Sequence, residues 1–261
     1  MCLVLLWFST RSDVEVVLAG NRDEFYRRPS APPAIIARNP TVYAGKDLEA
    51  GGTWMGRNEA GLLAAITNRY GSSRAVAAGL RSRGEIVLQL LQHRVAADAA
   101  EWAASIPLKE YRAFNLLFGS VEAFYFLSSH EGGPPRRLEP GFHALSNSTL
   151  NDASWPKVER SHRFAEAHRE RSGEALIGGL QAFLTDRTPP DDQTPASREE
   201  EIHGALGAVF IQTPDYGTVS STIVTVGGSL GDRYYFAERE DMGRAPGGGT
   251  NPYRLVRFDP E

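Results

Sequence analysis

The sequence predicts an α+β fold built on antiparallel sheet. Strand blocks and helix pairs follow one another instead of alternating singly, which argues for stacked layers rather than βαβ units. The strands come as hairpins joined by short polar or glycine-bearing loops, the connection that antiparallel neighbours allow. No internal repeat and no linker divides the chain, so residues 1–261 read as one domain. Within it, "RTPPDDQTPASREEE" is polar and proline-rich, and a mobile loop is expected over about residues 186–200.

The elements are legible in order. "LVLLWF" is a short apolar run bounded by the turn-like "STRSD", and it reads as a strand buried on both faces. "VEVVLAG" pairs with it as a hairpin and ends at Gly20. "APPAIIARNP" carries three prolines and fits an extended loop with an edge strand. "GGTWMGRNEAG" has four glycines and predicts tight turns, and "LLAAIT" is a buried strand running up to Asn68. From Arg83 the period changes: Ile86, Val87, Leu90, Leu91 and Val95 recur at helical spacing. A second helix, "DAAEWAASI", stops before Pro107. "AFNLLFGS" and "AFYFLSS" form the next hairpin, and "GFHALSNS" is a short strand. Residues 155–185 hold two more helices, and "GAVFIQT", "TVSSTIVTVGG" and "DRYYFAER" close the chain as strands.

Bulk properties narrow the function. The net charge is −4 with both signs interspersed, so there is no basic footprint for nucleic acid or an anionic membrane. The apolar run Cys2–Phe8 is too short to span a bilayer, and no later segment reaches 18 apolar residues. No positive charge precedes the run and no small-residue cleavage site follows, unlike a signal peptide. The single cysteine forms no internal disulfide, which suits a reducing compartment. A cytoplasmic protein acting on a small-molecule ligand or substrate is expected. No pattern in the chain sets an oligomeric state.

The sole thiol, Cys2, sits directly behind the initiator methionine. A cysteine at a strand start serves as a small buried hydrophobe in many proteins. The chemical alternative needs Met1 removed, which leaves a thiol and a free α-amine on one residue. The amine titrates at about 7.7–8.0 and the thiol at about 8.5. The amine then acts as the base for its own nucleophile, with no histidine required.

Other candidates lie at strand ends. In "LAGNRDEFYRRP", Asn21 and Asp23 share one strand face, and Arg22 and Glu24 the other. An arginine beside Cys2 lowers the thiol pKa, and a carboxylate there holds the α-ammonium; the same residues also suit a solvated charged turn. Asn68 and Asn147 end two further strands, where a side-chain amide can donate to an oxyanion or simply close a turn. Trp7 and Trp54 suit either a core or a pocket wall. There is no G-x-S-x-G elbow and no P-loop, and the six histidines show no metal-ligand spacing.

Taken together, "MC", "LAGNRDEFYRRP", "GGTWMGRNEAGLLAAITN", "SRGEIV", "FNLLFG", "LSNS" and "YGTVSSTIV" resemble the NRDE family, also called the transport and Golgi organisation protein 2 family. The resemblance spans nearly the whole chain. It implies the four-layer αββα sandwich of the N-terminal nucleophile hydrolases. In relatives that cleave linear amides, such as the choloylglycine hydrolases and penicillin V acylases, the mature chain begins with a nucleophilic cysteine. Carried over, Cys2 is the nucleophile, flanked by Arg22 and Asp23; Asn68 stabilises the oxyanion and Asn147 is a further active-site amide. One departure matters: the acylases usually separate arginine and aspartate by two residues, and here they are adjacent. By strand alternation, Asn21 with Asp23, or Arg22 alone, are the alternatives beside Cys2. The activity implied is hydrolysis of a non-peptide C–N bond with no cofactor. Family members are also linked to haem trafficking and to lipid or acyl-coenzyme A metabolism, so haem or lipid carriage is the alternative.

Overall fold

The computed structural model describes residues 3–70, 79–190, 207–242 and 252–258. Met1, Cys2 and most of the proline-rich stretch lie outside the described residues.

The first strand sets the layering. β1 (Leu3–Phe8) is buried at every position, as its unbroken apolar run predicts. Successive side chains of a strand point to opposite faces. Leu3, Leu5 and Trp7 therefore enter one core, with Val158, Ala165, Leu176, Leu180 and Leu184. Val4, Leu6 and Phe8 enter another, with Met55, Leu63, Ala65, Leu117 and Phe124. Each valine, leucine, methionine and phenylalanine among them contributes roughly 1.5–3 kcal/mol by leaving water.

Two antiparallel sheets result. β1 lies between β2 (Val16–Phe25) and β10 (Gly141–Leu145), and β11 (Tyr216–Val226), β12 (Arg233–Glu238) and the two-residue β13 (Arg254–Leu255) extend that sheet beyond β2. The second sheet runs in order β3 (Ser30–Ala37), β4 (Val42–Asp47), β5 (Met55–Asn58), β6 (Leu63–Asn68), β7 (Phe114–Gly119), β8 (Phe124–Ser128) and β9 (Arg136–Arg137). Helices α3 (Pro156–Ala167) and α4 (Gly173–Leu184) cover the first sheet. Helices α1 (Gly84–Leu90) and α2 (Ala96–Ala104) cover the second through Ile86, Val87, Leu90, Ala99 and Ala103. The order helix, sheet, sheet, helix is the four-layer αββα sandwich. Among the described residues, no helix is long and apolar enough to cross a membrane, and no cluster of histidine, cysteine or carboxylate side chains is placed to hold a metal ion.

Four elements differ from the sequence reading. The helix expected through Val95 stops at Leu90, because the buried Asn58 amide donates to the carbonyls of Leu91 (3.0 Å) and His93 (2.6 Å). β5 forms inside the glycine-rich stretch read as turns. β2 runs five residues past Gly20, because "NRDEF" continues along β11 instead of turning into solvent. The "GAVFIQT" stretch, expected as a strand, is irregular, with one isolated bridge from Gln212 to Gly217.

Candidate functional site

The end of β1 defines the place to look. Leu3 pairs with Asn21 of β2, and Val4 pairs with Leu145 of β10. Arg22 is therefore the next residue along β2, and Ser146 and Asn147 follow β10 on the opposite side.

Arg22 shares its strand face with Leu18, which packs in the core between the two sheets. It is only 3% exposed. Its guanidinium carbon lies 4.6 Å from the Trp54 ring centroid, a cation–π contact. Nη2 is 3.6 Å from Asp47 Oδ2. Among the described residues its Nη1 has no hydrogen-bond partner. Burial pushes the guanidinium pKa down, against the pull of Glu24 and Asp47.

Two close approaches fix this arrangement. Gly45 faces Trp54 so tightly that an added Cβ would lie 2.6 Å from the indole ring. The backbones of Gly52 and Gly84 touch in the same way, and Thr53 N donates to Gly84 O at 3.2 Å. The glycines of "GGTW" and "SRGE" thus bring the approach to β5 against the start of α1. Gly45→Ala is expected to displace Trp54 and lose about 1–3 kcal/mol of stability, the cost of overpacking. A lower urea midpoint with an altered near-ultraviolet tryptophan signal checks this; an unchanged signal would mean the ring is not held there.

Asp47 anchors the acidic side. Its Oδ1 accepts from the backbone N–H groups of Glu49 and Ala50, both at 3.0 Å. Its Oδ2 accepts from Arg28 Nε at 2.9 Å. Burial works to raise its pKa, but the Ala50 N–H, Arg28 and Arg22 outweigh it and hold the carboxyl below its ordinary value. Arg83 reaches in from the start of α1 and donates to Ala113 O at 3.3 Å. Burial lowers its pKa; Arg112 adds to that and Glu24 opposes it.

The two strand-end asparagines meet. Asn147 Nδ2 donates to Asn68 O at 2.9 Å, and Tyr70 N donates to Asn147 O at 2.8 Å. Thr67 Oγ1 donates to Ser146 O at 2.9 Å, so the ends of β6 and β10 are laced across the two sheets. Asn147 is buried and commits an N–H to this tie, whereas Asn68 is half-exposed.

Asp23 and Asn21 face the other way, into the layer of α3 and α4. The Asp23 side chain is fully enclosed, with Lys157 Nζ at 3.4 Å and the Thr218 hydroxyl donating at 2.7 Å. Asn21 Nδ2 donates to the carbonyls of Leu184 and Val209, both at 2.9 Å, and its Oδ1 accepts from the Ser221 hydroxyl. Of the residues singled out in the sequence, the structure brings Asn68 and Asn147 together. It separates Arg22 from Asp23 by the thickness of a sheet. Cys2 lies outside the described residues. Asp47, Arg83 and Lys157 were not anticipated. Only Lys157 leaves a signal: it stands four and eight residues before Ser161 and Ala165, on the buried face of α3.

A family model described as Transport and Golgi organisation 2 matches residues 1–241. The Transport and Golgi organization protein 2 homolog of Bos taurus is 31% identical over 269 residues, covering 94% of this chain and 95% of the relative. The Homo sapiens homolog is also 31% identical, over 252 residues, covering 87% and 88%. Among solved structures, a variant of the conjugated bile acid hydrolase from Clostridium perfringens is similar with a TM-score of 0.50 at 12% identity, covering 99% of this chain and 97% of that one. The Caenorhabditis elegans ortholog of N-acylethanolamine-hydrolyzing acid amidase is similar with a TM-score of 0.53 at 9% identity, covering 85% and 92%. Likeness at these identities shows a shared fold, of the N-terminal nucleophile hydrolase type.

Proposed function

The chain belongs to the Transport and Golgi organisation 2 family, and from that premise we propose that it hydrolyses a non-peptide, linear amide with Cys2 as nucleophile. The observation that carries the reading is the buried Arg22 guanidinium, one residue past the strand partner of Leu3 and with a donor unspent. Cys2 is bonded to Leu3, so their Cα atoms are about 3.8 Å apart. A guanidinium at that end of β1 favours the thiolate over the thiol. Arg22 takes the electrostatic role, and Asp23, held by Lys157 on the opposite face, supports the strand that presents it.

The chemistry balances on the terminal residue. The α-amine takes the thiol proton, and the thiolate adds to the amide carbonyl carbon. The charge passes to the carbonyl oxygen, towards which the half-exposed Asn68 amide is assigned as donor. The C–N bond breaks as the α-ammonium returns its proton to the leaving nitrogen. Water, deprotonated by the α-amine, then cleaves the thioester and releases the acid and the thiol.

Intact-mass spectrometry after treatment with an activated acyl ester tests this. Loss of Met1 and one acyl adduct on Cys2, absent from Cys2→Ala, is the expected result. A retained initiator in protein made with active methionine aminopeptidase, or an unlabelled Cys2, defeats it. Haem carriage is the competing outcome. On that reading the Cys2 thiolate would ligate the iron. A Soret shift lost in Cys2→Ala would favour that outcome instead.

A further inference from the structure

A second buried group on the face of Arg22 has no partner. Ser220 of β11 pairs directly with Arg22, immediately after an irregularity in the ladder between Thr218 and Ser220. Directly opposed residues of an antiparallel pair project on the same side, with Cβ atoms about 4.5–5.5 Å apart. Ser220 is 4% exposed. Among the described residues its hydroxyl has no hydrogen-bond partner, and neither has Arg22 Nη1. Folded proteins rarely leave such groups unmet, and here two belong to directly paired residues on one face of the sheet, both able to donate.

We propose that Arg22 Nη1 and Ser220 Oγ form a seat for the carboxylate group of an organic acid. A carboxylate only accepts hydrogen bonds and offers two oxygens, one for each donor. Nη2 of Arg22 lies 3.6 Å from Asp47 Oδ2 and the guanidinium rests on the Trp54 ring, so it is oriented before any ligand arrives. The surrounding charge agrees. Arg22, Arg28, Arg83 and Arg112 are opposed by Asp47, Glu24 and Glu49, which leaves one positive charge in excess to draw in an anion. The seat uses the same Arg22 that is assigned to amide hydrolysis but does not depend on a working thiol. If that hydrolysis occurs, its acid product is a ligand of this class, and the enzyme is inhibited by what it releases.

Calorimetric titration of Cys2→Ala protein with acetate, butyrate and octanoate, and separately with inorganic phosphate, tests the seat. Saturable one-to-one carboxylate binding is expected, weakened about tenfold in Ser220→Ala, in line with the loss of one hydrogen bond to a charged group, and restored in Ser220→Thr. Arg22→Gln is expected to abolish it. Binding that is the same in Ser220→Ala, saturation by phosphate but by none of the carboxylates, or no saturation at all overturns the proposal. Because the titrated protein has no thiol, a carboxylate seat that survives while Cys2 fails to take an acyl group refutes hydrolysis alone. An acylated Cys2 without a seat refutes this inference alone.

Discussion

Lys157→Met is expected to lower folding stability by about 3–5 kcal/mol, the range for removing one partner of a buried ion pair. The Lys157 and Asp23 side chains are 2% and 0% exposed, and their closest charged atoms are 3.4 Å apart. Methionine keeps most of the volume of the lysine stem, so the loss reports the charge and not a cavity. Thr218 still donates to Asp23 in the variant, but one neutral hydroxyl does not replace a cation in a low-dielectric layer. Asp23→Asn leaves the opposite charge stranded and is expected to cost a similar amount. The double variant removes both charges and is expected to recover most of the loss, a strong coupling between contacting sites. Urea unfolding at pH 7 reads all three: midpoints should fall in the single variants with unchanged slope. Single variants that lose less than about 1 kcal/mol would show that solvent reaches the pair, against the burial described.

That pair also explains what the sequence conceals. "NRDE" reads as a strand end because charged residues are depleted within strands. Its partners lie far along the chain: Lys157 is 134 residues from Asp23, and Thr218 is 195 away. Nothing local announces them. Strict alternation did carry information, since it predicted that Arg22 and Asp23 could not share a face, and they do not. The buried strands β1 and β6 were legible because an unbroken apolar run has few other places to go. The first helix was overextended because Asn58, some 30 residues upstream, ends it through two carbonyls. Asn68 and Asn147 were each ambiguous as single strand-end residues, and only the stacking of two sheets makes them neighbours. Trp54 was read as either core or pocket wall; it is a buried residue of the inter-sheet core that also carries a guanidinium on its face.

Asp47→Ala is expected to have the second-largest effect, about 2–4 kcal/mol, by stacking two losses. The first is local: the N–H groups of Glu49 and Ala50 lose the acceptor that closes their turn. The second is electrostatic: Arg22 loses its nearest carboxylate while remaining buried, and Arg28 loses a 2.9 Å partner. Asp47→Asn separates the two, since its side-chain carbonyl can still accept from the turn while the charge is gone, so about half the loss should remain. The pH dependence follows from the lowered pKa of Asp47. A carboxyl that ionises more readily in the folded chain than in the unfolded one binds fewer protons when folded. Its stabilising effect is complete above the ordinary carboxylate value of about 3.9 and disappears as pH falls through the lower, folded value. The stability gap between the native protein and Asp47→Asn should therefore be constant from pH 5 to 7 and close on acidification below about pH 4. A gap that persists at pH 2 would mean the aspartate acts through its shape and not its charge, and Arg22 would then be held by Trp54 and packing alone.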